Sequence, residues 1–149
     1  METQSRSADV DIKQLNAFLQ DELAAVETYQ QCIEKIESPQ LSSTLTELQR
    51  SHQKRATLLS HRVQELGGIP ETDSGTWGSF AKLVEGGAKA FGEKTAISAL
   101  EEGEDRGKAN YGKDSDKLSL DTKTFIESKI LPEHQRSHDT LSRLKSVLH

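Results

Sequence analysis

Gln49-Arg50-Ser51-His52 recurs letter for letter as Gln135-Arg136-Ser137-His138, and each copy has a glutamate two residues ahead of it, Glu47 and Glu133. Apolar residues recur by threes and fours around both copies. The first stripe is Leu41, Leu45, Leu48, His52, Ala56, Leu59, Val63 and Leu66. The second is Phe125, Ile126, Ile130, Leu131, His134, His138, Leu141, Leu144 and Leu148. Such spacing draws one stripe down a helix of about 3.6 residues per turn, so both stretches are predicted helices with a histidine on the buried face. Ser38-Pro39 is a start signal for the first of them, which runs to about residue 66 before Gly67-Gly68 ends it. The second covers about 119 to 148, with a kink expected just ahead of Pro132.

Two further helices precede these. Residues 12 to 36, with Asp11 as N-cap, carry the stripe Leu15, Phe18, Leu19, Ala25, Val26, Tyr29, Ile33 and Ile36, and Glu22 falls on it. Residues 95 to 112, capped by Thr95, carry Ile97, Leu100, Glu104, Lys108 and Tyr111. Gly103 and Gly107 each weaken that helix by roughly 1 kcal/mol against alanine and mark a close contact ridge. The two helices share a register: Glu22 precedes Tyr29 by seven residues and Glu104 precedes Tyr111 by seven. Between the pairs, residues 67 to 94 form one long connection with a short helix around Phe80 to Phe91, pinned by Trp77 and Phe80. The expected fold is all-α: an antiparallel four-helix bundle in a single domain over residues 1 to 149, with residues 1 to 10 a disordered tail.

Composition excludes several function classes. The net charge of −5 lacks the basic face that nucleic acid requires, so no nucleic-acid partner is expected. No apolar run approaches a membrane span, and the start has no secretory core. Cys32 is the lone cysteine; it cannot form an intramolecular disulfide, suits a reducing cytoplasmic location, and reads as a buried inert thiol. With hydrophobic residues at 33%, the core is lean; together with the glycine ridge this points to a homodimer.

In a four-helix bundle, mid-helix stripe positions meet at one level, so Glu22, His52, Glu104 and His138 converge. Two carboxylates and two imidazoles in an apolar interior must bind a cation or satisfy one another. As ligands they suit iron, zinc or manganese. Gln49 and Gln135 then stand behind the histidines as hydrogen-bond partners, with Tyr29 and Tyr111 behind the glutamates. Glu101 is a reserve ligand, and Glu47 and Glu133 face away. In the alternative reading no metal binds, and Glu–His pairs form a buried polar layer in a structural or interaction bundle. Neither reading names a reaction.

The pattern resembles the ferritin-like superfamily, which has a Glu on helices one and three and Glu-x-x-His on helices two and four. The Glu-then-Tyr spacing is similar to that of rubrerythrin and bacterioferritin. "ELGGIP" at residues 65–70 and "EEGEDRGKANY" at 101–111 look like a bacterial family of small ferritin-like proteins without an assigned function. The resemblance spans about residues 12 to 148 and implies a divalent metal in the bundle core. The chain departs from the motif in one respect: Gln49 and Gln135 stand where the superfamily has glutamate, and a neutral amide cannot bridge two irons.

Overall fold

The computed structural model describes residues 2–73 and 93–147. Trp77, Phe80, Phe91 and the helix expected between them lie outside the described residues. Four helical rods make up the rest, and there is no strand among the described residues. They are α1 (Glu2–Lys35), α2 (Pro39–Glu65), α3 (Glu93–Asp114) and a composite fourth rod. The fourth rod consists of α4 (Leu120–Phe125), a π-helical turn (Ile126–Ile130) and α5 (Leu131–Val147). Among the described residues, no helix is long and apolar enough to cross a membrane.

The α1–α2 turn follows the sequence signals. Ser38 adopts an extended backbone and its hydroxyl accepts the Leu41 N–H at 3.3 Å, with Pro39 at the first helical position. At the other end Gly67 takes φ +87°, and the Gly68 N–H returns to the Val63 carbonyl at 2.9 Å, which satisfies a terminal acceptor. The chain leaving α2 is tied to α1: Asn16 donates to the Ile69 carbonyl at 3.1 Å and accepts from the Glu71 N–H at 2.9 Å.

Helix α1 begins at Glu2 rather than after Asp11, so the residues expected as a tail continue the helix. Asp11 still caps, but a different element. Its buried carboxylate accepts the Ser119 N–H at 2.9 Å and the Ser119 hydroxyl, at the start of α4. The kink expected at Pro132 takes the form of the π turn. Proline lacks an N–H and its ring crowds the carbonyl four residues back. The wider turn, in which the Leu131 N–H reaches the Ile126 carbonyl, accommodates both.

Two apolar clusters fill the interior. One gathers Tyr29, Cys32, Leu41, Leu45, Ile97, Leu100 and Leu141; the other gathers Leu15, Phe18, Leu19, Leu59, Val63, Ile126 and Ile130. Each fully buried Leu or Ile contributes about 1.5–3 kcal/mol relative to exposure. Burial pushes the Cys32 thiol up to about 11, which keeps it a protonated core group. Lys108, placed on the stripe of α3 by spacing, is exposed; the buried face there runs Ile97, Leu100, Gly103, Glu104, Tyr111. On every rod the polar site residues fall between members of the two clusters: Glu22 between Leu19 and Ala25, His52 between Leu48 and Ala56, Glu104 between Leu100 and Tyr111.

Candidate functional site

Glu22, His52 and Glu104 do meet. They are 3%, 2% and 0% exposed. The His52 ring lies between the two carboxylates, with Nδ1 2.7 Å from Glu22 Oε2 and Nε2 2.5 Å from Glu104 Oε1. The tyrosines complete a crossed arrangement. Tyr29 of α1 donates to Glu104 of α3 at 2.7 Å, and Tyr111 of α3 donates to Glu22 of α1 at 2.9 Å. The seven-residue Glu–Tyr spacing makes this exchange possible, because it lifts each hydroxyl two turns to the level of the other helix's carboxylate.

His138 is not part of this cluster. It lies at the edge of α5, where Nε2 is 2.5 Å from Asp105 Oδ1. His134, one turn earlier, takes the interior place at 3% exposure. Its Nε2 donates to the Glu104 backbone carbonyl at 2.9 Å, which leaves Nδ1 as an acceptor. Gln135 is exposed and donates to Asp139 at 2.9 Å. Gln49 is buried but serves α1, donating to the Val26 carbonyl and to Gln30, both at 3.0 Å. Glu101 pairs with Ser142 and Lys145, away from the layer.

Arg55 is the residue that spacing missed. Its side chain is 0% exposed, and its guanidinium sits inside the layer. Nε is 3.2 Å from Glu22 Oε2, NH1 donates to His134 Nδ1 at 2.9 Å, and NH2 reaches Ser137 Oγ at 3.3 Å and lies 2.7 Å from His52 Nδ1. A buried arginine normally requires acceptors around its nitrogens; here NH1 and NH2 are hydrogen-bonded, while Nε has the Glu22 carboxylate beside it as an ion-pair partner but no hydrogen bond among the described residues.

The electrostatics follow from these contacts. Burial raises the Glu104 carboxyl, but His52, His134 and Arg55 outweigh it and bring its pKa down to about 2. Burial likewise opposes ionisation of Glu22, and Arg55 with His52 holds it below its usual value. Burial disfavours the imidazolium of His52, yet Glu104 and Glu22 raise it overall. Burial lowers His134, with Arg55 adding to that, so it stays neutral. Burial, then Glu104 for Tyr29 and Glu22 for Tyr111, raises both phenols and keeps them as donors. Two carboxylates thus face the Arg55 guanidinium and a His52 ring whose protonation they favour.

A void of about 10 Å³ borders the layer, lined by Glu22, His52, Glu104, Tyr111, His134, Gly103 and Gly107. That is room for about one water. Glu104 Oε2, buried and without a hydrogen-bond donor among the described residues, gives such a water an acceptor. Gly107 makes the space for His134: a Cβ there would lie 3.0 Å from His134 Cε1. His134 is held at both nitrogens and cannot yield. Gly107→Ala therefore costs about 1–2 kcal/mol despite its better helix propensity, measurable by urea denaturation. An equally or more stable variant would show that the ring is free to move.

Both Gln-Arg-Ser-His copies also line one surface groove of about 350 Å³ between α2 and α5, through Arg50, Ser51, Arg136 and Ser137. Glu133 crosses it, accepting from Ser51 at 3.0 Å and pairing with Arg136 at 3.4 Å and Lys54 at 3.5 Å.

Among the described residues, no group of three or more His, Cys, Asp or Glu side chains is arranged to hold a metal ion. A family profile described as "Domain of unknown function (DUF2383)" matches residues 11–117, more than half of the chain. No curated protein and no solved structure matches.

Proposed function

We propose, from the premise that the chain belongs to the DUF2383 family of unknown function, that it is an antiparallel, ferritin-like four-helix bundle held in register by a metal-independent polar layer. In this reading it is a structural or interaction module. The pairings support the antiparallel arrangement: Tyr29 meets Glu104 while Glu22 meets Tyr111, and Ser51 meets Glu133 while Arg62 meets Thr122. Numbers rise on one rod as they fall on its neighbour.

The observation that carries the reading is Arg55. The residues do not fit a metal while its guanidinium lies against Glu22, His52 and His134. A cation added beside it meets a fixed positive charge in a low-dielectric interior, where like charges repel strongly. The carboxylates already have their counter-charges. The layer is also shut off: its members are all under 4% exposed and its void is water-sized, so no organic substrate reaches these side chains as they stand. What the layer does is specify pairing. A helix that slips by one turn would strand a buried charge, a cost of several kcal/mol.

Thermal melting with and without a chelator tests this. The midpoint should stay the same in excess EDTA and in excess zinc, iron(II) or manganese(II), because a ligand that does not bind the native state cannot shift it. A midpoint that falls with EDTA would refute the reading.

A further inference from the structure

We propose that the groove between α2 and α5 is a binding site for a small, hydroxyl-bearing phosphate monoester, a phosphorylated polyol. The site lies outside the buried layer and stands apart from the reading of that layer. Its two walls carry the same string, Glu47-x-x-Arg50-Ser51 on α2 and Glu133-x-x-Arg136-Ser137 on α5. Packing does not account for the two arginines. Arg50 is exposed and makes no hydrogen bond or ion pair among the described residues. Arg136 is 70% exposed and Lys54 63%, and each pairs with Glu133, at 3.4 and 3.5 Å. Ion pairs with cations this exposed are weak, so an incoming anion can compete with Glu133 for both. At about 350 Å³ the groove has the size of a small-molecule site, larger than a bare oxyanion fills.

The lining selects the ligand. Arg50, Lys54 and Arg136 outnumber the carboxylates of Glu47 and Glu133, in a chain whose net charge is −5. A single carboxylate brings no more charge than Glu133 already supplies. A phosphate monoester brings nearly two negative charges and three acceptor oxygens at neutral pH, enough to engage an arginine from each wall. Ser137 adds a donor. It is 1% exposed, its Oγ accepts from Arg55 at 3.3 Å, and its own proton has no acceptor among the described residues. The remaining hydroxyls suit the other end of the ligand. Thr44 and Thr140 have given their protons to the Gln40 and Arg136 carbonyls, at 3.1 and 2.9 Å, so toward the groove they offer oxygen lone pairs. Lone pairs repel phosphate oxygens but accept from hydroxyls, and this assigns a polyol to the organic part.

The test is calorimetric titration of the full chain at low salt with glycerol 3-phosphate, inorganic phosphate and succinate, together with flotation on vesicles containing phosphatidic acid. Wild type should bind one glycerol 3-phosphate per chain, more tightly than either of the other two anions. Arg50→Gln and Arg136→Gln should each weaken it about 10–100-fold, the loss of a hydrogen bond to a charged group. Both side chains are exposed, so the melting midpoints of these variants should match wild type. Glu133→Gln keeps the shape and removes the competing charge, and should tighten binding about fivefold. Thr44→Val/Thr140→Val should lower affinity for glycerol 3-phosphate and leave that for inorganic phosphate unchanged. Absence of binding to wild type, or binding that survives loss of both arginines, overturns the site. Equal affinity for inorganic phosphate and glycerol 3-phosphate overturns the polyol assignment. Capture by the vesicles without binding of the soluble ester overturns the small-molecule ligand and assigns the groove to a lipid headgroup.

Discussion

Arg55→Met lowers the unfolding free energy by about 3–5 kcal/mol, as expected when one partner of a buried ion cluster is removed and the other charges stay. Methionine is close in length and apolar, so packing is largely kept and the loss is electrostatic. Glu22 loses its 3.2 Å partner, His134 Nδ1 loses its donor, and two buried carboxylates remain with the fixed guanidinium charge gone. Urea denaturation measures it. A second substitution separates charge balance from packing. Arg55→Met/Glu22→Leu removes a positive and a negative charge together and should recover a large part of the loss, since buried ion pairs replaced by apolar side chains are often neutral or stabilising. Simple addition of the two single losses would mean that Arg55 is not paired with Glu22.

Glu104→Gln is the second large effect. Glu104 ties several members of the layer together: it accepts from Tyr29, faces His52 Nε2, and lies near Arg55 and His134. The amide removes the charge and turns a donor toward one of those donors, so a loss of about 3–5 kcal/mol is expected. The same residue sets the acid limb of stability. Its carboxyl is held at about 2 in the fold against an ordinary value of 4.5. Its contribution is therefore complete above about pH 4.5 and is lost as pH falls toward 2, on the order of 3 kcal/mol for that shift. Glu22, also lowered, and neutral His134 lose stability in the same direction. His52 acts oppositely. Its pKa is raised from 6.5, so its contribution is present below that value and is lost as pH rises through the folded pKa. Stability should thus fall on both sides of a weakly acidic plateau, and Glu104→Gln should flatten the acid side. An unchanged acid limb in that variant would remove Glu104 from the account.

Most of the fold was legible because its signals are local. Ser38-Pro39, Gly67-Gly68 and the three-and-four spacing on α1 and α2 act within a few residues of themselves. Glu22, His52, Glu104, Tyr29 and Tyr111 were also legible, since a polar residue on an apolar stripe has nowhere to go but inward. The error at His138 came from trusting an identical string over a consistent offset. Glu22 to Glu104 and Tyr29 to Tyr111 are both 82 residues apart, and 82 added to 52 gives His134. The repeated tetrapeptide runs at 86, one helical turn further, and its shared role is to line the outer groove. Arg55 was missed because arginine on a stripe edge usually sends its charge to water. Only three-dimensional placement shows Glu22, His134 and Ser137 waiting for it. Asp11 misled for a related reason: its capping partner, Ser119, is 108 residues away.

The metal content of the untagged protein is to be determined by mass spectrometry as purified and after incubation with iron(II), zinc and manganese(II) followed by desalting. The expected result is no retained metal under any loading, because the guanidinium of Arg55 is the cation that the layer already holds. Near-stoichiometric metal that is lost on changing His52 and His134 together to Ala would contradict it and make this bundle a metalloprotein.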